Sequence, residues 1–401
     1  MARSEVRWRK LGDFIEARNE RNTDLQWGKD LIVGVNNSGR FQRTKANTTD
    51  IDMKPYKAVY HGDFVYNPSR LNIGSFAYRE DGFCIVSHLY VVFYITEENK
   101  TSLLPEYLLI FCQRKEFLRM VDYHNFGSQR AEFNIHDISD FEIPIPYTDG
   151  KPDTKRQQDI VDVWQGLRTM KEQNEQQAEP LFQLCRSYME HLKKDYDFVE
   201  IGQYIEPVDE RNTSILELSV YGINKTKTFM PTVADMEGVD TSKYKIVKYY
   251  DFAFSGMQTG RDECIRVALH TEKDMILVSP AYITFKIKEE KKERIIPEYI
   301  LLSFKRPEMD RYGWFISDSS VRANLDWPRF LAIRIPLPPI DVQRAIVNIY
   351  HCAEEAKRIA EEADRLSREI CPALMQHIIH EADDCEHACS QSAEYVLPNV
   401  I

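Results

Sequence analysis

No stretch of this 401-residue sequence is apolar for long enough to cross a bilayer as a helix, which takes about 20 residues, and Met1–Lys10 has no signal-peptide core. A cytoplasmic protein without membrane contact is therefore expected. The eight cysteines, Cys84, Cys112, Cys185, Cys264, Cys352, Cys371, Cys385 and Cys389, lack the spacing of a disulfide framework. They fall in hydrophobic and helical stretches, as reduced and mostly buried thiols do. No glycine-rich loop follows a strand, and Gly150-Lys151-Pro152 lacks the upstream glycine and the following Ser/Thr of a phosphate loop. A carboxylate-lysine nuclease cluster is missing too. These gaps argue against a chain that does its own chemistry.

Net positive charge is also missing. The chain carries 52 Lys/Arg against 63 Asp/Glu, a formal charge of −11. Divided along the chain, residues 1–150 hold 19 bases and 21 acids, 151–196 hold 8 and 8, 197–340 hold 20 and 22, and 341–401 hold 5 and 12. The acidity is thus concentrated in the last segment, where protein contacts are expected, and the two larger segments are free to carry basic faces. With 43% apolar and 29% charged residues, the composition is that of an ordinary soluble protein of two or three domains.

What is present is a long helical pattern written twice, from Thr154 to about Lys194 and from Asp341 to about His380. In the first run Ile160, Val163, Leu167, Met170, Leu181, Leu184 and Tyr188 keep the three-then-four spacing of a helix-packing seam. In the second, Ile346, Ile349, Ala353, Ala356, Ala360, Ala363, Ile370 and Leu374 do the same, with Ser367 between them. Large residues facing alanines allow close approach. At about 1.5 Å per residue each run makes a rod roughly 60 Å long. Asn174 and Gln177 interrupt the first seam with polar groups, and Pro180 and Pro372 should kink or break their helices.

The segments before each run are also repeated. Leu11-Gly12, Ile15-Glu16 and Glu20-Arg21-Asn22-Thr23 return as Ile201-Gly202, Ile205-Glu206 and Glu210-Arg211-Asn212-Thr213. Ile85 to Phe93 reads as a β-rich strand matched by Leu277 to Phe285, and Pro105-Glu106-Tyr107 as a helix start matched by Pro297-Glu298-Tyr299. Arg70 to Val92 and Arg261 to Ile287 are the expected sheet cores. Ile143-Pro144-Ile145-Pro146 and Ile335-Pro336-Leu337-Pro338 close each lobe, and Gln157 and Gln343 follow at matching places in the first turns of the long helices. The fold class expected is α+β: two tandem lobes and two long antiparallel coiled-coil helices with pseudo-twofold symmetry. Its boundaries are 1–153 for the first lobe, 154–195 for the central helix, 196–340 for the second lobe, 341–384 for the distal helix and 385–401 for a flexible tail.

The proline-rich strand leading into the Gln-bearing helix, Ile335-Pro336-Leu337-Pro338-Pro339-Ile340-Asp341-Val342-Gln343, resembles that of the specificity subunits of Type I restriction-modification systems. The resemblance spans residues 7 to about 383. The first copy departs from it at Tyr147 to Pro152. What the resemblance implies is a non-catalytic subunit in which each lobe is a target recognition domain reading one half of a bipartite sequence in double-stranded DNA. The helices set the unread gap and dock two modification subunits that methylate adenine. S-adenosylmethionine would sit on those methyltransferase subunits, and ATP with Mg on restriction (translocase) subunits, with no cofactor on this chain. Asn67-Pro68-Ser69-Arg70 lacks the second proline and the aromatic of an adenine methyltransferase motif. The other classes weighed are a two-lobed protein scaffold that binds no DNA and a self-sufficient methyltransferase or nuclease.

The candidate DNA-binding residues are those able to reach base edges or phosphates from loops. In the first lobe they are Asn67, Ser69, Arg70 and Asn72, then Ser128, Gln129 and Arg130; in the second, Ser255, Gln258, Thr259 and Arg261, then Ser317, Ser320 and Arg322. The Ser/Arg loop present in both lobes suits phosphate, since a contact common to two half-sites calls for the same residues. His377, His380, Cys385, His387 and Cys389 have metal-ligand side chains, but their spacing matches no known finger, so no metal is assigned.

Overall fold

The computed structural model describes residues 4–44, 51–124, 133–257, 263–318 and 323–393, with side chains to residue 380. Its helices are α1 Pro105–Cys112, α2 Lys115–His124, α3 Ile135–Ser139, α4 Thr154–Asp195, α5 Pro297–Phe304, α6 Pro307–Ile316, α7 Trp327–Leu331 and α8 Ile340–Ala393. The chain divides into two compact units, Met1–Glu172 with Ala360–Ile401, and Gln173–Ile359. Each therefore holds one lobe, one stretch of α4 and one stretch of α8.

In the first unit a four-stranded antiparallel sheet runs in the order Ile15–Ala17, Val91–Ile95, Asp63–Tyr66, Phe76–Tyr78. Phe64 lies opposite Phe93 with rings stacked at 5.1 Å, and Phe76 joins them in the core beneath α1 and α2. The second unit repeats this order as Ile205–Val208, Ile283–Ile287, Phe252–Ser255, Arg266–Leu269, with Phe252 on Phe285 at 4.7 Å. Aromatic pairs across a strand pair stabilise it beyond the area they bury. A smaller sheet completes the second lobe, Phe229–Pro231, Val220–Ile223, Ile276–Val278 and Lys245–Val247. In the first lobe the matching strands form two pairs linked by one bridge, Ile32 to Ile85.

Two sequence expectations shift here. The central strand Asp63–Tyr66 lies before the stretch expected to hold the sheet core. Ile85 to Phe93 is two strands in different sheets, because Ser87 to Tyr90 turns the chain, with the Tyr90 N–H donating to the Ser87 carbonyl at 3.0 Å. An apolar run with serine inside it conceals that turn, and Ser279-Pro280 does the same in the second copy.

Each lobe is fastened to a long helix by a buried glutamine. The Gln157 side chain accepts from the Leu104 N–H at 2.9 Å and donates to the Ser102 carbonyl at 2.8 Å. In the second unit Gln343 accepts from the Ile296 N–H at 3.1 Å and donates to the Arg294 and Pro338 carbonyls at 2.9 and 2.8 Å. Both glutamines are fully buried. The groups they satisfy lie just before α1 and α5, where the chain leaves a loop and has no ladder to use. Tyr107 and Tyr299, on those helices, donate at 2.7 Å to the Pro144 and Pro336 carbonyls of the proline strands. Strand, short helix and long helix are thereby locked in each unit.

The α4 and α8 segments within each unit pair antiparallel. In the first, Ile160 and Val161 share a core with Cys371, Met375, Ile378 and Ile379, while Lys171 bonds Asp364 at 2.6 Å. In the second, Phe182 meets Tyr350 edge-on at 5.6 Å, and Cys185 lies against Ile346. The buried row on α4 is turned from the one expected. Val163, Met170, Leu184 and Tyr188 are exposed, whereas Val161, Ala178, Cys185, Met189 and Leu192 are buried, Ile160 is buried as expected, and Leu167 and Leu181 are half-buried. Lys171 occupies a packing position because Asp364 neutralises it, and small Ala178 and Cys185 fill others, so a search for large apolar side chains slips by one residue. On α8 Ile346, Ala353, Ala356, Ala360 and Ala363 are buried and Ile349 and Leu374 half-buried, but Ile370 is exposed and Cys371 packs in its place. Neither proline ends its helix: α4 runs on past exposed Pro180 and α8 past half-buried Pro372. The α8 backbone is helical to Ala393, past the expected boundary at 384.

Two measurements test this packing. Gln343→Leu leaves a buried N–H and two carbonyls unsatisfied, and each such group costs about 1–3 kcal/mol. A loss of about 3 kcal/mol in denaturant unfolding is expected, against little change for an exposed control such as Gln165→Leu. The second concerns Asp251, buried beneath the Lys248 N–H at 3.0 Å. Burial raises its carboxyl above the ordinary range, opposed by that hydrogen bond. The folded state therefore takes up a proton just above the unfolded pKa of about 3.9, and stability falls as pH rises through that window. Asp251→Asn, which keeps the acceptor, is expected to raise Tm at pH about 8, with the gain shrinking toward pH about 4.

Candidate nucleic-acid interface

In the first lobe the loop after the central strand closes on itself. The Asn67 N–H donates to Ser75 at 3.1 Å, and its side-chain oxygen accepts from the Ser69 N–H at 3.0 Å. The Arg70 N–H donates back to the Asn67 carbonyl at 2.9 Å. This turn leaves the Ser69 and Arg70 side chains exposed. Asn72 donates to Asp122 on α2 at 3.0 Å, which draws the helix end against the loop, and the Phe133 N–H donates to the Pro68 carbonyl at 3.2 Å. Of the four candidates described here, Asn67 and Asn72 carry bonds within the lobe, and Ser69 and Arg70 face outward.

The second lobe brings the same three segments together. Ser255 ends its strand opposite Arg266, and the Leu325 N–H donates to the Gly256 carbonyl at 2.9 Å, as Phe133 does to Pro68. Helix α6 lies flush on the sheet because Gly313 presents no side chain; a Cβ there would stand 2.4 Å from Ile265. Ser317 caps α6, its hydroxyl donating to the Gly313 carbonyl at 2.7 Å. Ser255 and Ser317 are half-buried at this edge. Ser128, Gln129, Arg130, Gln258, Thr259, Arg261, Ser320 and Arg322 lie outside the described residues.

A buried ion pair fixes α6. The Lys227 ammonium donates to both Asp310 oxygens at 2.8 Å and is 3% exposed, and Asp310 also accepts from the Ile265 N–H at 2.9 Å. Lys227 reaches it from a hairpin turn at φ +63°. The matching turn of the first lobe holds Gly39 at φ +69°, whose Cβ would stand 2.7 Å from the Phe76 carbonyl, so no lysine fits there. The two edges are thus built alike and held differently.

The sequence reading missed the exposed side chains of the second helix in each lobe, Tyr123 on α2 and Tyr312, Trp314 and Phe315 on α6. A repeated Arg-x-x-x-aromatic pattern, Arg119 to Tyr123 and Arg311 to Phe315, is the signal that points to them. Among the described residues no group of three or more His, Cys, Asp or Glu side chains is placed to hold a metal. His377 and His380 are exposed, and the side chains of Cys385, His387 and Cys389 lie outside the described residues. No described helix is long and apolar enough to cross a membrane.

Fold and edge together define a tandem-lobed protein whose lobes present loops from a rigid, repeated frame. The family model for the Type I restriction modification DNA specificity domain matches residues 4–179. Among solved structures, the S subunit of a Type I restriction-modification system from M. genitalium is 12% identical, with 93% of this chain and 96% of that chain covered and a TM-score of 0.56. A chain from a type I R-M system solved for its complex assembly and conformational transition is 14% identical over 94% of this chain and 98% of that one, with a TM-score of 0.41. The HsdS subunit from Thermoanaerobacter tengcongensis is 14% identical over 94% and 95%, with a TM-score of 0.35. No curated protein matches at a significant level. Residues 4–179 thus match the Type I restriction modification DNA specificity domain, and 93% of the chain shares the fold of the M. genitalium S subunit.

The anchoring of α6 is open to test. Lys227→Ala strands a partly buried carboxylate and places a Cβ residue at positive φ, and is expected to cost about 2–4 kcal/mol. Lys227→Gly relieves the backbone and still strands Asp310, so it should also lose stability in denaturant unfolding; native stability for the glycine variant would show that the ion pair does not hold the helix.

Proposed function

We propose that this chain is the specificity subunit of a Type I restriction-modification system and reads a bipartite target in double-stranded DNA, one half with each lobe, while the long helices set the unread interval and dock the catalytic partners. The observation that carries the reading is the edge built twice, with one backbone arrangement and different side chains. At corresponding places the first lobe has Asn67, Pro68 and Ser69 and the second has Ser255, Gly256 and Met257. A common frame with different exposed chemistry is what two different words require, and the distance between words then follows from protein geometry.

Arg70 is the strongest described candidate for base readout, since a guanidinium can donate twice to guanine O6 and N7. The exposed loop residues of both lobes, Ser128, Gln129, Arg130, Gln258, Thr259, Arg261, Ser320 and Arg322 included, complete the proposed contact set. Two modification subunits carrying S-adenosylmethionine and restriction subunits using ATP with Mg would supply the chemistry. Exposed Val163 on the α4 stretch of the first unit, and Leu184 and Tyr188 on that of the second, are apolar side chains that a docking subunit would cover.

Binding by this chain assembled with its modification subunits tests the reading. Affinity for a cognate duplex is expected to fall steeply and log-linearly with salt, as phosphate neutralisation releases counterions. Arg70→Ala should cost about 1–3 kcal/mol and relax one base position in one half-site only. Binding that is absent, or indifferent to sequence and salt, would favour a protein scaffold.

A further inference from the structure

The second helix of each lobe carries an exposed arginine and an exposed aromatic residue, one turn apart. On α2 they are Arg119 and Tyr123, and on α6 Arg311 and Phe315. Tyr123 is 79% exposed and Phe315 82%, the two most exposed aromatic residues among those described. Arg119 is also exposed, with the Glu116 carboxylate 3.6 Å away, and Arg311 is exposed. Residues four apart share a helix face, so each lobe shows solvent a guanidinium beside a ring.

This pair lies outside the hydrophobic core of either lobe. The faces that α2 and α6 turn to their cores have diverged, Phe117 and Val121 in one and Met309 and Gly313 in the other. The surface pair has stayed while the buried face changed. Its place is the candidate edge. The residue before Tyr123 is Asp122, which takes the hydrogen bond from Asn72 in the Ser69–Arg70 loop. Phe315 lies two residues before the Ser317 cap, on a helix seated by Gly313 against Ile265. Asp122 accepts from Asn72 and Asp310 is neutralised by Lys227, so both carboxylates are turned into the lobes.

We propose that this arginine-aromatic pair is a second, sequence-independent DNA contact in each lobe, with the guanidinium on a backbone phosphate and the ring inserted at a base step of the half-site. It rests on the DNA-targeting reading above and adds a contact to it. Two half-sites of different sequence share only their phosphates and their stacked bases. A feature kept in both lobes while the loops between them differ is suited to those shared parts. Apolar wedges between base steps, flanked by cations on the backbone, are a general way for proteins to open and bend a duplex. Such opening would help any partner that must extract a base to modify it.

The test uses the full chain assembled with its modification subunits and duplexes carrying 2-aminopurine within one half-site. Native complex is expected to raise 2-aminopurine fluorescence on binding. Phe315→Ala, with the probe in the half-site read by the second lobe, and Tyr123→Ala, with the probe in the other, should abolish the rise and weaken binding by about tenfold or more, to cognate and scrambled duplexes alike. Tyr123→Phe and Phe315→Tyr keep a ring and should keep the signal; Arg119→Ala and Arg311→Ala should weaken all duplexes and flatten the salt dependence. Native affinity and an unchanged signal in the alanine variants would overturn the wedge while leaving sequence reading intact. Loss of modification subunits from the alanine complexes in size-exclusion chromatography would overturn it in favour of a protein contact. Failure of the native complex to bind DNA would overturn both readings.

Discussion

The amide of one buried glutamine per unit is the joint on which the architecture turns. A lobe of short strands and three-turn helices has no reason of its own to hold a fixed attitude to a long helix, because loops between them leave backbone groups to be satisfied by water or by chance. Gln157 and Gln343 remove that freedom by pairing with both an N–H and carbonyls in the segment that enters α1 or α5. A leucine of similar size would fill the space without giving the loop its partners. The tyrosine-to-proline-strand bonds at Tyr107 and Tyr299 then pass the restraint to the strand that launches the helix. The proposed reading of two words at a defined spacing would need such a joint, since a lobe free to swivel would hold its word at no fixed distance from the next.

Around these joints the two lobes have drifted in ways that show what is frame and what is free. Asp63 and Asp251 are buried carboxyls at the same turn, yet only Asp63 is met by an arginine, Arg18, which also lies over the Tyr60 and Tyr94 rings. Tyr66 carries a buried hydroxyl without a hydrogen-bond partner where the second lobe has Phe254. The turn that holds Gly39 in one lobe holds Lys227 in the other and gains a buried ion pair with α6. None of these changes alters the strand order. They alter how firmly the edge segments are held, which is where the proposed function needs the two lobes to differ.

Much of this was legible in the chain itself. The tandem plan rests on repeated tetrads, and the glutamines stand out because the same residue recurs at the same helix turn after two unlike proline segments. The helix seam was misread by one residue since the packed row includes Lys171, Ala178 and Cys185, a charged and two small side chains, while Val163, Leu184 and Tyr188 point outward. Ile85 to Phe93 looked like one strand because a turn with only serine to mark it is chemically quiet. Arg119–Tyr123 and Arg311–Phe315 were printed in both halves but carry no pattern until burial separates the exposed face from the packed one. Asn67 and Asn72 have the right side chains for adenine, and only coordinates reveal that each bonds within its own lobe.

The central claim is that one chain carries two separate reading heads for a single interrupted target. Mapping N6-methyladenine across the genome of the host, with and without this gene, addresses it directly. The account expects one motif, two specific words flanking a fixed unread interval, to be modified in the parent and unmodified in the deletion. Loss of a continuous motif, or the same methylation pattern in both strains while the modification subunits are expressed, would contradict it.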